Sequence, residues 1–514
     1  MQEITQIFLE SIQVFQPMSL LYLFIGFFVG IIFGALPGLT ASLAITLLLP
    51  MTYNMPINLA LVMCMGIYMA GTYSGSITAI TINIPGAPAA IMTCIEGNQL
   101  MKKGKGAKAL GHVTVGSAIG GTIGALLLIF VSPLAIRIAL LIRTPGKCTL
   151  IFFALVVIIL ISGTKKKAMV TLAFGLMCAT IGGDPIKSVS RFTFGFGLLA
   201  EGLDTVTLII GAFAVNEFFS QALVSNEEYK KLTAAANEVK FKRKDFFPTL
   251  KEMREEVGWW LYLKCSIIGY LIGVLPGAGA SMAAFVTYVE AKRTSKHPER
   301  FGTGCVEGVA APETANNAVC GGALVPMLSL GIPGDGVTAI ILGVFLIYGI
   351  TPGPALLASQ MHILAPMYMA LLISAAILLP LSLLLFGPYY LKIVRINRLV
   401  LYSAIAIIAL LGVYAATNSA FQIGVALVIG VVMFILESQD YPNVPFILGV
   451  ILGPLFEQYL RTTLTIGDGN PLVFLTNMDS LVFVILTVVF AVWLPRINKR
   501  SDKAAEDLST KHDK

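Results

Sequence analysis

Apolar residues run through this chain in long blocks, without the period of a half-buried strand or of an amphipathic helix. Stretches 20–33, 150–162 and 482–494 are apolar almost without relief. A helix needs about 20 mostly apolar residues to cross a bilayer, and on that length the pattern predicts roughly twelve spanning or re-entrant segments. The fold class expected is therefore an all-α polytopic membrane protein. Residues 1–17 place Ile4, Ile7, Phe8, Ile12 and Phe15 near helical spacing. That fits a short interfacial helix ending at Pro17, or an extension of the first span. The block 18–50 would be about 50 Å long as one helix, too long for a straight span. A break at Leu36-Pro37-Gly38 divides it into a span and a re-entrant half-helix. Further segments are expected at 59–84, 110–131, 133–143, 148–162, 168–182 and 197–222, with a polar turn over 184–195. Later ones follow at 363–386, 400–415, 419–436, 445–460 and 480–495.

Two motifs occur twice in the same order. Gly34-Ala35-Leu36-Pro37-Gly38-Leu39-Thr40-Ala41-Ser42 answers to Gly273-Val274-Leu275-Pro276-Gly277-Ala278-Gly279-Ala280-Ser281, at an offset of 239 residues. Ile84-Pro85-Gly86-Ala87-Pro88 answers to Ile332-Pro333-Gly334-Asp335-Gly336, at an offset of 248. Paired helix breaks at matching places in two halves are the sequence mark of a transporter binding site. The organisation expected is a first repeat over 1–224, broken at 36–38 and 84–88, and a polar cytoplasmic connector over 225–257. A second repeat over 258–470 is broken at 275–277 and 332–336. Residues 471–514 supply an extra span and a charged cytoplasmic tail.

Charge gives the repeats a direction. Only 12% of the 514 residues are charged and 56% are hydrophobic, against about 25% charged in soluble domains, which excludes a water-soluble enzyme. The net charge of +7 comes from basic residues in short loops, a positive-inside pattern and no sign of nucleic-acid binding. After the first Leu-Pro-Gly the next loop, 51–58, is uncharged; after the second, 291–300 is strongly basic. After the first Ile-Pro-Gly, 102–108 is basic; after the second, 349–354 is uncharged. Lys165-Lys166-Lys167 likewise answers to the uncharged 413–418. Since short basic loops stay cytoplasmic, the two repeats face opposite ways: an inverted-topology repeat. It puts the N-terminus and 462–478 outside and 225–257 inside. The N-terminus lacks the basic region of a signal peptide, since its first Lys or Arg is Lys102.

Broken helices offer free N–H groups and a positive dipole end to an anion, and unwound carbonyls to a cation. Thr40, Ser42, Ser74, Ser76, Thr81 and Asn83 flank the breaks of the first half. Ser281, Thr314, Asn316, Asn317, Ser329 and Asp335 flank those of the second. Each hydroxyl has a second reading, as packing or as a bond to the carbonyl four residues back. The adjacent amides Asn316 and Asn317 are costly at membrane depth unless used. Glu313 and Asp335 are the sharpest acidic candidates, with a wet turn beside Pro as the alternative. Glu96, Glu201, Asp204 and Glu217 are weaker. The seven cysteines show no metal-ligand spacing and read as packing residues. There is no H-E-x-x-H, no phosphate-binding loop and no cofactor motif, so no enzyme is expected. The only metal expected is a Na⁺ ion.

The ordered pieces carry a resemblance. They are Gly34-Ala35-Leu36-Pro37-Gly38-Leu39-Thr40, Gly71-Thr72-Tyr73-Ser74-Gly75-Ser76 with Thr81-Ile82-Asn83-Ile84-Pro85-Gly86, and Pro312-Glu313-Thr314-Ala315-Asn316-Asn317-Ala318. Leu330-Gly331-Ile332-Pro333-Gly334, Arg191-Phe192-Thr193-Phe194-Gly195 and Pro352-Gly353-Pro354 complete the set. Over about 18–470 the chain resembles the large membrane subunit of the tripartite tricarboxylate transporters (TctA-like). The resemblance implies a multi-pass protein of the bacterial inner membrane. It would import a di- or tricarboxylate on a Na⁺ or H⁺ gradient, with a small membrane subunit (TctB-like) and a periplasmic substrate-binding protein (TctC-like). It maps the family's breaks onto Pro37-Gly38, Pro85-Gly86, Pro276-Gly277 and Pro333-Gly334. Two departures bear on the substrate: Gly146-Lys147-Cys148 stands where an acidic residue is usual, and Asp335 where small neutral residues are. The rival readings are a stand-alone ion-coupled carrier or channel, and a non-transporting scaffold.

Overall fold

The computed structural model describes residues 2–36, 38–53, 55–162, 164–184, 186–187, 189–223, 243–277, 279–393 and 398–492. Pro37, most of the connector expected at 225–257 and the charged tail lie outside them. The first half holds α1 (Gln2–Ser11), α2 (Pro17–Gly34), α3 (Ala41–Thr52), α4 (Ile57–Ile82), α5 (Ile91–Lys102), α6 (Gly106–Leu141), α7 (Thr144–Ile161), α8 (Lys165–Ala179) and α9 (Thr205–Ala222). The second holds α10 (Trp259–Val274), α11 (Gly279–Thr294), α12 (Val306–Leu330), α13 (Gly336–Ile347), α14 (Met361–Tyr390), α15 (Arg398–Thr417), α16 (Ala420–Glu437), α17 (Asn443–Ile466) and α18 (Met478–Val492). One small antiparallel pairing joins Gly182–Gly183 (β1) to Ser190–Arg191 (β2).

Among the described residues eight helices are long and apolar enough to cross a membrane, or nine if Leu250–Val257 and α10, bent by 72°, make one span. The fold is thus all-α and polytopic. The segments expected separately at 110–131 and 133–143 are one helix, α6, with Pro133 inside it. A proline removes one hydrogen bond, and neighbouring groups in a membrane bundle re-satisfy the freed carbonyl. Pro17 opens α2 at its first turn, where a missing N–H costs nothing.

The chain forms two compact units, 1–136 with 217–412, and 137–216 with 413–514. Each draws on both sequence halves. In the first, α2 lies on α4 along glycines. It buries Leu23, Gly26, Phe27, Gly30 and Gly34 and exposes Leu21, Phe24, Ile25 and Phe28. An outer face this apolar suits lipid. A Cβ on Gly30 would stand 2.7 Å from the Ile67 carbonyl oxygen, and one on Gly34 2.4 Å from that of Gly71. The pair α10 and α12 repeats this. A Cβ on Gly269 would stand 2.3 Å from the Ala315 oxygen, and one on Gly273 2.8 Å from that of Val319. The contacts match at the two motif offsets, 239 from Gly30 to Gly269 and 248 from Ile67 to Ala315. Small residues at these positions let backbones approach closely.

In the second unit α8 packs on α17, with Gly175 against the Phe446 carbonyl, and α9 on α16, with Gly211 against that of Ala426. The turn between α8 and α9 is held by charge. Glu457 accepts two bonds of 2.6 Å from Arg191, and Arg461 donates to Asp184 at 2.7 Å. Asp184 also accepts from the amides of Ile186 and Lys187. The Arg461 guanidinium, then those amides, hold the Asp184 carboxyl far below its ordinary range. Phe192 and Phe194 sit in the left-handed region at φ 55° and 50° with their rings exposed.

Candidate functional site

The centre of the first unit is the helix pair α4 and α12. Both are buried over almost their whole lengths, and they run antiparallel. Asn316 Nδ2 donates to the Thr72 carbonyl and Asn317 Nδ2 to that of Met69, each at 3.1 Å. The Cys320 thiol meets Thr72 Oγ1 at 3.6 Å. Glu313 lies further back, beside Ser76, and accepts a bond from the Thr93 hydroxyl of α5. Residues 313, 316, 317 and 320 share one helical face, and that face looks onto Met69, Thr72 and Ser76.

All four Pro-Gly breaks interrupt helices of this unit. At the first, α2 ends at Gly34 and α3 starts from Thr40, whose Oγ1 accepts from the Leu43 amide at 3.2 Å. At the second, α4 closes on Asn83 at φ 59°, and the Gly86 amide donates to the Gly75 carbonyl at 3.1 Å. At the third, the Gly277 amide donates to the Gly334 carbonyl at 2.8 Å, so the third and fourth breaks touch. At the fourth, α12 ends at Gly331 and Asp335 caps α13, accepting from the Thr338 amide at 2.8 Å. The breaks also pack alike. A Cβ on Gly86 would lie 2.2 Å from the Gly34 oxygen, and one on Gly334 2.8 Å from the Gly273 oxygen. Pro276 and Pro333 are buried and Pro85 half-buried.

Asp335 is half-buried, and its second oxygen accepts from the Tyr68 hydroxyl at 2.5 Å. This bond ties the helix after the fourth break to the middle of α4. A carboxylate at a helix N-terminus is favoured by the dipole, and here the protein supplies its own.

Several expected residues are placed differently. Ser74, Ser76, Glu313, Thr314, Asn316 and Asn317 do not flank breaks; they lie inside α4 and α12. Glu313 is fully buried, not at a wet turn beside Pro312, because the helix continues through that proline. The hydroxyls of Thr81, Thr314 and Ser329 donate to their own helix carbonyls, of Ile77, Ala310 and Val325. Ser74 donates across to the Gly30 carbonyl at 3.1 Å. Ser42 is buried at the start of α3, and its carbonyl accepts from Thr46. Asn83 and Ser281 are exposed. Glu96 is buried and satisfied: it accepts from Tyr288 and from the amides of Gly302, Gly304 and Cys305. It pins the loop before α12.

Tyr68, Thr72, Thr93 and Cys320 join the cluster without having been singled out in the sequence. Their signal was spacing: Tyr68, Thr72 and Ser76 recur every four residues on α4, as a polar line needs.

Known proteins resemble this chain over most of its length. The family described as "Tripartite tricarboxylate transporter TctA family" matches residues 20–448. An uncharacterised 52.8 kDa protein from the TAR-I ttuC' 3' region of Agrobacterium vitis is 36% identical over 448 residues, 86% of this chain and 87% of the relative. An uncharacterised protein from the TAR-II ttuC' 3' region of the same organism is 38% identical over 237 residues, 46% of this chain and 98% of the relative. No solved structure matches.

Proposed function

Because the chain belongs to the tripartite tricarboxylate transporter TctA family, we propose that it is the large transmembrane subunit of a binding-protein-dependent secondary transporter. It imports a di- or tricarboxylate across the bacterial inner membrane, driven by a Na⁺ or H⁺ gradient. It works with a small TctB-like membrane subunit and a periplasmic TctC-like binding protein, and it catalyses no chemical step.

The observation that carries this reading is the doubled architecture around α4 and α12. Equivalent helices at an offset of 248 residues run antiparallel, and each is followed by a Pro-Gly break that packs on the end of the preceding glycine-lined helix. Antiparallel equivalents are what an in-plane two-fold axis produces, and they support inverted repeats. The short helices α3, α5, α11 and α13 supply the re-entrant arms. The halves 1–224 and 258–470 are the two repeats, joined by the cytoplasmic 225–257.

The carboxylate substrate binds at the N-termini of α3 and α11, the matching sites after the two Leu-Pro-Gly breaks. Thr40 and Ser42 serve one, and Ser281 the other. The N-terminus of α13 holds its own anion, Asp335, which leaves no place for a second. A scaffold subunit has no use for four broken helices, since unsatisfied backbone at membrane depth is costly unless it lines a site.

The test is uptake of labelled di- and tricarboxylates into proteoliposomes under an imposed Na⁺ or H⁺ gradient, with and without the two partner subunits. Uptake needing both the gradient and the binding protein is expected. Uptake indifferent to the binding protein would replace this reading with a stand-alone carrier.

A further inference from the structure

One face of α12, with Ser76 of α4 against it, carries more oxygen acceptors than it has donors to meet them. Asn316 Oδ1 and Asn317 Oδ1 are buried without a hydrogen-bond partner, and Glu313 Oε2 and Ser76 Oγ are buried with only each other and the Asn316 side chain to turn to. Glu313 and Asn317 are 0% exposed, Ser76 0% and Asn316 1%. The two amide orientations are fixed by their other ends. Each Nδ2 donates to a backbone carbonyl, of Thr72 or Met69, and a carbonyl can only accept. The oxygen is therefore the free atom in both. Glu313 adds a carboxylate, and its surroundings are Thr93, Ser76 and Asn316. No Lys, Arg or His pairs with it among the described residues. A buried carboxylate without a counter-charge is among the costliest groups a protein can hold.

We propose that this face is a Na⁺ site, with Glu313, Asn316, Asn317 and Ser76 as its oxygen ligands. A single proton on Glu313 would satisfy the carboxyl and at most one amide oxygen. A hard monovalent cation takes several oxygen ligands at once and cancels the charge. Its position is separate from Asp335, whose two oxygens are already used by Tyr68 and Thr338. The inference rests on the transport reading only in identifying this ion as the coupling ion; the binding itself does not depend on it.

The experiment uses the full chain purified in detergent. ²²Na⁺ binding and thermal stability are read in NaCl, KCl and choline chloride at equal ionic strength. The wild type is expected to bind ²²Na⁺ and to melt higher in NaCl alone. Glu313→Gln keeps the shape, removes the charge and brings an N–H donor for the amide oxygens. It should melt higher than the wild type without Na⁺ and gain nothing from Na⁺. If that variant does not fold, Ser76→Ala serves, with an affinity for Na⁺ lower by about tenfold. A Na⁺-dependent shift that survives in Glu313→Gln, or a wild type that answers to pH but not to Na⁺, overturns the site. Loss of Na⁺ binding with gradient-driven uptake intact removes this site alone. Na⁺ binding without carboxylate uptake removes the transport reading alone.

Discussion

Tyr68 and Asp335 stand 267 residues apart in sequence and share one hydrogen bond of 2.5 Å. Asp335 keeps its cap on Thr338 whether or not Tyr68 is there. Tyr68→Phe therefore leaves α13 intact and frees its start from α4. A lost bond to a charged group costs about 1.5–3 kcal/mol, so the variant should melt lower yet remain monodisperse. A melting temperature equal to the wild type's would mean that the bond does not hold the break. The residue scale also marks how far the sequence could be read. Glu313, Asn316, Asn317 and Asp335 stood out because amides and carboxylates in an apolar run are costly. Thr81, Thr314 and Ser329 stood out for the same polarity but spend it on their own helix carbonyls. Inside a helix a hydroxyl can donate to the carbonyl four residues back, and a carboxylate, which only accepts, cannot. Tyr68 and Thr72 were marked only by their spacing, and Thr93 and Cys320 were silent for the converse reason: they matter only through partners that folding brings to them.

Helix contacts in the first unit depend on the absence of side chains. At Gly269 a Cβ would meet the Ala315 carbonyl oxygen at 2.3 Å, and backbone cannot yield as a side-chain tip can. Gly269→Ala should destabilise by about 1–3 kcal/mol, the range for overpacking. Gly424, inside α16, has nothing within 4 Å, and Gly424→Ala should be neutral or gain up to about 1 kcal/mol from helix propensity. Melting curves of the two purified variants decide it; equal loss in both would refute the packing argument. A second element, the turn between α8 and α9, answers to pH. The Asp184 carboxyl is held far below its ordinary range by Arg461 and two amides. Its contribution is full above the ordinary carboxylate range and is lost only as pH falls through the depressed value. Hydrogen exchange over 182–191, corrected for intrinsic rate, should be flat from neutral pH down to about 4 and quicken below that. In Asp184→Asn it should be faster at neutral pH and its acid step smaller, since Glu457 still holds Arg191 and Arg461. Elements of this kind were legible where apolar length and Pro-Gly pairs agreed. At Pro133 the pattern suggests two segments, 110–131 and 133–143, yet α6 continues past it.

At the scale of the whole chain, the duplication was legible because two motifs kept their order and spacing. That each compact unit takes a part of both halves was not, because contact between distant segments leaves no trace in local pattern. The direction of the repeats rests on loop charge, and accessibility tests it. Tyr53, Lys105, Lys296 and Thr351 are all exposed and sit in the loops that pair across the halves, 51–58 with 291–300 and 102–108 with 349–354. Each is replaced singly by cysteine in a chain cleared of its seven native cysteines, which are all free. An impermeant maleimide is then applied to right-side-out and inverted membrane vesicles. Inverted repeats require Lys105→Cys and Lys296→Cys to label from the cytoplasmic side, and Tyr53→Cys and Thr351→Cys from the outside. A parallel repeat would put Tyr53→Cys with Lys296→Cys and Lys105→Cys with Thr351→Cys. On the inverted reading the basic loops hold their side because short Lys- and Arg-rich segments resist export. On the same reading the uncharged ones are carried across by the helices between them. Agreement at all four positions would leave α4 and α12 as the two members of one inverted pair. A single swapped loop would mean that one of the short arms crosses the membrane in full.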